Sequence, residues 1–420
     1  MKTSQKLLLA SAAIIIGTAI GVNLIYSLVT YIGKERSLGE EHTYTLRAER
    51  GRIFDADGNI LAQTDTLYDI GLDCTIIKYE EVWENLSPML AGQLAGLFSQ
   101  RDSTDWQQRL DQSRADKNRY LVIANGVSKE EANAVRSFPI FDLGQYQGGG
   151  IVKPRYIRTY PFGMIGRSTI GESGLELQYG AVLTGVDGRQ EIRYGRYLGR
   201  DVRKATESAP AINGKDIHTT LNMRMMSVAD SVLRAAIDAD KDVDAGCLVV
   251  MEVATGAIQC VVNLTKTSDG IIELENLVNN RTFVLYQTLA TGKSILPVYN
   301  AIGNRGEEIS PYLVEYVSDG DSIESMRSEY SEQMMPESVA DSLFSTMAHI
   351  GPDIVGETVL CETNRASDRE EEADISIAFF PAEAPTYSIM GILYGNGIKR
   401  SRRSIQVISE FANNYEYEED

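Results

Sequence analysis

Apolar and polar positions along this chain fall into segments with different periods. Leu7 to Val29 holds no charged residue. As a helix it would run ~35 Å, enough to cross a bilayer. Lys2 and Lys6 precede it, and Lys34, Glu35 and Arg36 follow. The run is longer than the core of a cleaved signal peptide and ends on no small-residue cleavage pattern. It predicts an uncleaved transmembrane anchor over residues 7–32 behind a short cytoplasmic tail, residues 1–6. Gly17 and Gly21 lie four apart within it, with Asn23 close by. Small residues at that spacing admit a second helix, and an amide in lipid seeks a partner.

Beyond the anchor the pattern changes. Thr43 to Arg47 alternates like a strand. Arg52-Ile53-Phe54 and Ile60-Leu61-Ala62 flank Asp55-Ala56-Asp57-Gly58-Asn59, whose turn formers predict a hairpin. Residues 80–118 have helical periodicity, with apolar positions at Leu86, Met89, Leu90, Leu94 and Leu97. Ser128 heads another helix as its cap. Gly148-Gly149-Gly150 reads as a flexible break without any phosphate-cradling pattern.

The clearest helix spans Asn222 to Ile237, where Met225, Val228, Ala229, Val232, Leu233, Ala236 and Ile237 repeat every three or four residues. Leu248–Val253 and Ile258–Val262 are rich in β-branched residues and flank a tight turn, a second hairpin. Residues 318–335 are polar and acidic and predict a surface loop or exposed helix. Ile375–Phe380 and Tyr387–Leu393 read as another strand pair. Ser404 to Ala412 fits a last amphipathic helix, and Glu416 to Asp420 is a mostly acidic, frayed tail.

A net charge of -19 repels phosphate backbones, so nucleic acid is set aside as a partner. Cys74, Cys247, Cys260 and Cys361 are scattered without a Cys-x-x-Cys pair. A tight turn after Val253 sets Cys260 opposite about Met251 and leaves Cys247 roughly 13 Å further along the strand. Two buried thiols fit that geometry better than a disulfide. His42, His218 and His349 lack metal-ligand spacing, and no cofactor is expected.

Several segments, taken in order, resemble class B penicillin-binding proteins, most closely the cell-division members of Bacteroides-like bacteria. Arg50-Gly51-Arg52-Ile53-Phe54-Asp55 through Gly58 to Ala62 is similar to the signature that opens the family's non-catalytic pedestal. Arg158, Tyr160-Pro161, Gly166, Gly174-Leu175-Glu176, Tyr179, Leu183, Gly185 and Gly188 resemble the second pedestal signature. Asn213 to Asn222 resembles the start of the transpeptidase domain, and Met251 to Ile258 its first hairpin. The resemblance implies an α+β architecture. It comprises the single transmembrane helix, an elongated mixed pedestal over 33–212 and a reduced transpeptidase-like sheet-and-helix domain over 213–420.

The chemistry of that family needs a serine with a lysine one helical turn on, a Ser-x-Asn relay, and a Lys-Thr/Ser-Gly strand lining the oxyanion hole. The sequence contains no Ser-x-x-Lys, no Ser-x-Asn, no Lys-Thr-Gly and no Lys-Ser-Gly. Where the resemblance places the last of these, the chain reads Cys361-Glu362-Thr363, and Glu362 opposes a carboxylate substrate. After Asn276 to Asn280 the text jumps to Thr291-Gly292-Lys293-Ser294 and Tyr299 to Ile302, similar to a much later family segment, so a central helical block is missing. Lys293 and Ser294 are adjacent, about 100° apart on a helix, and cannot form the relay. Lys266-Thr267-Ser268 lacks the glycine.

The expectation is a non-catalytic, inner-membrane, single-pass homologue with its bulk outside the cytoplasm, acting as a scaffold in peptidoglycan synthesis and cell division. The resemblance implies a polytopic cell-wall glycosyltransferase and other division proteins as partners, and allows a homodimer. The alternative is an active, penicillin-sensitive D,D-transpeptidase.

Overall fold

The computed structural model describes residues 17–18, 20–29, 38–197, 200–273, 295–320, 322–327, 331–364, 371–395 and 403–415. They form two compact units. One draws on residues 1–51, 179–216 and 318–323, the other on 52–178, 217–317 and 324–420.

The first unit is built on an antiparallel sheet of β1 (Leu38–Leu46), β6 (Gly188–Tyr197) and β7 (Arg200–Ala209), in the order β1-β6-β7. Residues 20–29 are helical, with Ile20, Val22, Leu24 and Leu28 all exposed. Among the described residues no helix is long and apolar enough to cross a membrane. The expected anchor over 7–32 extends outside them.

The second unit opens with β2 (Ile53–Phe54), β3 (Ile60–Leu72), β4 (Leu121–Val127) and β5 (Gly150–Thr159). Three helices cover one side: α1 (Glu80–Leu97), α2 (Ser103–Ala115) and α3 (Lys129–Arg136). Ile70 and Leu72 of β3 pack with Trp83 and Leu90, with Trp106 and Leu110, and with Val135, closing one core. The capping boundaries follow from side chains. Asp102 accepts from Asp105 N at 2.8 Å, and Ser128 and Glu131 form a reciprocal capping box. The sheet continues through β8 (Asp216–Thr219), β13 (Val314–Ser318) and β14 (Ile323–Ser325), in the order β14-β13-β8-β2-β3-β4 with β5 also on β3. Short helices α4 (Arg167–Ile170) and α5 (Leu175–Gln178) follow β5, and α6 (Gly180–Thr184) lies in the first unit.

The larger sheet joins β9 (Val243–Glu252), β10 (Ile258–Thr267), β11 (Gly270–Glu273), β16 (Ala348–Gly351), β17 (Ile354–Asn364), β18 (Glu371–Phe380) and β19 (Tyr387–Gly395). Its order is β11-β10-β9-β19-β18-β17-β16, every neighbour antiparallel. Strand alternation divides its faces. Gly246 meets Leu233 of α7 (Met223–Ala239), and Gly391 meets Ile408 of α10 (Arg403–Asn414), on the rear face. Cys247, Val249 and Met251 point the other way and pack with Leu296 of α8 (Ile295–Gly303) on the front face. Helix α9 (Glu337–Ser345) follows the small β12 (Glu307–Ile309) and β15 (Ser331–Gln333) pair.

Several local expectations are corrected. Among the described residues of 318–335, Ser318 ends β13 and two short strands, β14 and β15, take the place of the expected loop or helix. Gly148 and Gly149 are tightly packed: a Cβ there would lie 1.8 Å from Ile140 O and 2.3 Å from Asp73 O. Met89 faces outward at 57% exposure, while Leu90 and Leu94 are buried. Cys260 stands opposite Val250, not Met251, because a bulge intervenes after Ile258. Cys247 stands opposite Asn263, and both cysteines are buried and outside any disulfide. The tail 416–420 lies outside the described residues.

Candidate functional site

The first pedestal signature shapes backbone. Asp55 is 2% exposed; its carboxylate accepts from Asp57 N at 3.0 Å, Asn59 N at 2.7 Å and Asn59 Nδ2 at 2.9 Å. Gly58 closes that turn at φ +83, a conformation glycine adopts without penalty. Arg50 donates to Thr184 Oγ1 at 2.6 Å. Gly51 donates to Leu183 O at 2.8 Å, and a Cβ on it would lie 1.9 Å from Lys215 O.

The second signature forms a largely buried ion pair. Arg158 Nε donates to Glu176 Oε1 at 2.6 Å and Nη1 to Thr64 Oγ1 at 3.2 Å, while Nη2 is buried without a partner. The Arg167 guanidinium lies 3.3 Å from the Tyr160 ring centroid. Burial and the Glu176 charge push the Tyr160 hydroxyl up, against the pull of Arg167 and Arg158. Pro161 opens the turn after β5, and a Cβ on Gly174 would lie 1.8 Å from Thr169 O. The resemblance singled out Arg158 and Glu176; Thr64 and Arg167 carry no sequence signal that links them to the pair.

On the front face of the larger sheet, Asn300 of α8 is fully buried. Its Nδ2 donates to Val253 O at 3.0 Å, and its Oδ1 accepts from Ser388 Oγ at 2.6 Å. Burial, with the Glu357 charge, pushes the neighbouring Tyr299 hydroxyl up. Strand β17 carries Glu-Thr twice. Cys361, Glu362 and Thr363 stand opposite Asp374, Ala373 and Glu372. Glu357 and Thr358 stand opposite Ile377 and Ser376, and Glu357 is the carboxylate whose charge acts on Tyr299. Sequence reading missed Glu357; its signal is the carboxylate directly after Ile354-Val355-Gly356, at the start of a strand. Such a carboxylate repels anions and accepts from donors.

The Lys266-Thr267 sequence is not assembled into a nucleophile. Lys266 Nζ donates to Ile237 O at 3.5 Å, and Thr267 Oγ1 to Gly270 O at 2.8 Å, so both serve the end of β10. Lys293 and Ser294 lie outside the described residues. So does the stretch from Asn276 to Gly292. Among the described residues no three His, Cys, Asp or Glu side chains converge as a metal site. Gly17, Gly21 and Asn23 fall in the N-terminal helical residues, and a Cβ on either glycine would meet nothing within 4 Å.

Residues 45–172 and 163–219 match the Penicillin-binding Protein dimerisation domain. Peptidoglycan D,D-transpeptidase MrdA from two strains of Salmonella typhimurium is 25% identical over 244 residues, covering 47% of this chain and 37% of those proteins. The match thus spans little more than a third of the relatives' length. A peptidoglycan synthetase from Bifidobacterium adolescentis superimposes with a TM-score of 0.61 at 15% identity, covering 91% of this chain and 98% of that one. Penicillin Binding Protein 2X from Streptococcus thermophilus gives a TM-score of 0.61 at 14% identity, over 88% and 80%. At those identities the likeness is one of fold.

Proposed function

We propose, starting from a chain related to the class B penicillin-binding proteins through its dimerisation domain and its fold, that it is a non-catalytic subunit of peptidoglycan synthesis in cell division. The chain keeps the pedestal and an antiparallel sheet flanked by helices. The observation that carries the reading is that its sequence lacks the Ser-x-x-Lys, Ser-x-Asn and Lys-Thr/Ser-Gly groups that acylation requires. In addition, where the resemblance places the Lys-Thr/Ser-Gly strand the sequence reads Cys361-Glu362-Thr363, a glutamate in place of the cation that a substrate carboxylate needs.

The apolar run Leu7 to Val29 supports a single-pass inner-membrane anchor with the bulk of the chain outside the cytoplasm. The pedestal supports binding to a polytopic cell-wall glycosyltransferase and other division proteins. Intact-mass analysis after incubation with a penicillin, beside an active homologue, tests the reading. The expected result is no mass increase while the homologue is labelled. A stoichiometric adduct would instead establish an active D,D-transpeptidase, the activity named for its Salmonella relatives.

A further inference from the structure

The sheet of β1, β6 and β7 has two ends that differ in charge. Leu38 stands opposite Gly195, and Leu46 opposite Gly188. The start of β1 therefore lies beside the tip of the β6–β7 hairpin, and its finish lies roughly 26 Å away. Arg193, Arg196, Arg200, Arg203 and Lys204 all fall in the tip half of the hairpin, where Asp201 is the one carboxylate. The far half holds Arg189 against Glu191 and Glu207. Strand β1 brings Glu40 and Glu41 to the tip end. Two positive charges are still in surplus there, in a chain whose net charge is -19.

Strand pairing alone does not call for this arrangement. Arg193 stands directly opposite Lys204, and like charges at opposed positions weaken a strand pair. Tyr194 and Tyr197 are interleaved with these cations, opposite Arg203 and Arg200. Tyrosines among arginines suit a membrane–water interface, where each side chain has an apolar body and a polar tip.

The path of the chain supplies the partner. Strand β1 starts at Leu38, nine residues beyond Val29, where the apolar run ends. Nine residues reach at most ~32 Å, so the basic end of the sheet is the end tethered to the bilayer. Lys34, Glu35 and Arg36 in the tether add one more positive charge. We propose that the tip of the β6–β7 hairpin rests on the bilayer and binds the phosphate groups of anionic phospholipids. Basic residues gain from a negatively charged leaflet within about a Debye length, ~10 Å. The inference rests on the membrane-anchor reading and is independent of the non-catalytic one.

A photo-crosslinking amino acid at position 197 of the full chain, reconstituted in nanodiscs, provides the test. Position 209, exposed at the far end of the sheet, is the control. Nanodiscs of phosphatidylcholine are compared with nanodiscs that also hold phosphatidylglycerol, and intact mass counts the lipid adducts. Position 197 should give about fivefold more adduct when phosphatidylglycerol is present, and about 0.5 M salt should remove the difference. Arg200→Glu combined with Arg203→Glu should remove it as well; if that variant melts early, the salt dependence of the parent chain decides. Position 209 should give little adduct with either lipid. Equal yields from the two lipids, equal yields from 197 and 209, or adducts at 197 with a second copy in place of lipid would overturn the proposal. Alkaline carbonate extraction of cell membranes separates the two ways of failing. A chain that carbonate releases loses its anchor and this proposal together. A chain that stays in the membrane yet shows no preference for anionic lipid loses this proposal alone.

Discussion

The Arg158 guanidinium and the Glu176 carboxylate meet at 2.6 Å across the turn that follows β5, with side-chain exposures of 15% and 6%. Water has little access to either partner there. Thr64 satisfies one more nitrogen, and Nη2 already goes without. Removing the carboxylate leaves a buried, unpaired cation, which is far costlier than the net worth of the pair. Glu176→Ala is expected to destabilise the fold by about 3–5 kcal/mol. Joint replacement of Arg158 and Glu176 by apolar residues should cost less than that single change. Urea midpoints of the two variants check this. A Glu176→Ala loss no larger than that of an exposed ion pair would show that the pair is not sealed.

Two signature glycines are required for different reasons, and the difference is measurable. Gly166 has φ +71, and a Cβ there would lie 2.5 Å from Met226 Cε, the far end of a flexible side chain. Gly174 would bring its Cβ to 1.8 Å from a backbone oxygen, Thr169 O. Gly166→Ala should cost ~1–2 kcal/mol, mostly left-handed strain, and Met226→Ala should not recover that part. Gly174→Ala should cost about 3 kcal/mol or more, because backbone must move. Equal losses by thermal melting would contradict this ordering.

How much of this was legible in the sequence depends on whether an element's own residues specify it. Helix α7 was, because apolar residues recur at helical spacing and Asn222 caps it, its side chain accepting from Met225 N at 3.0 Å. The β9–β10 hairpin was too, except for its bulge. Strand β5 was not, because Pro154 argues against a strand; it is tolerated here since β5 is hydrogen-bonded only to β3 among the described residues. Strands β6 and β7 lack apolar alternation and went unread. At the site, the resemblance drew attention to Arg158 and Glu176, but their pairing depends on the path of the turn between them. Glu357 was passed over because a lone carboxylate on a strand carries no signal until the fold brings its charge to act on Tyr299.

Asn300 ties α8 to the sheet through two buried hydrogen bonds, to Val253 O and from Ser388 Oγ. Asn300→Ala deletes a donor and an acceptor at once and leaves both partners desolvated. The expected loss is about 2 kcal/mol or more. Ser388→Ala alone should cost less, since Asn300 keeps its bond to Val253. The double variant should lose less than the two single losses added, because the shared bond is counted twice. Strict additivity in a double-mutant cycle would rule out the network.

Buried thiols give the stability a pH dependence of defined sign. Burial pushes the Cys247 thiol up to about 12, and burial, with the Asp73 charge, pushes Cys74 up to about 11. The folded state therefore holds both protons more tightly than the unfolded chain, whose thiols ionise at about 8.5. Their contribution is complete below that range. It falls as pH rises, by up to about tenfold in the folding constant per pH unit for each thiol. Cys74 stops contributing to the slope near 11, and Cys247 near 12. Other groups also titrate in alkali, so the informative quantity is a difference between proteins. Urea midpoints from pH 8 to 10 under reducing conditions should fall more steeply for the parent than for Cys74→Ala combined with Cys247→Ala. Iodoacetamide at pH 8 should leave both thiols unmodified in the folded protein and react with them in urea. Parallel slopes, together with rapid native alkylation, would place these thiols in water.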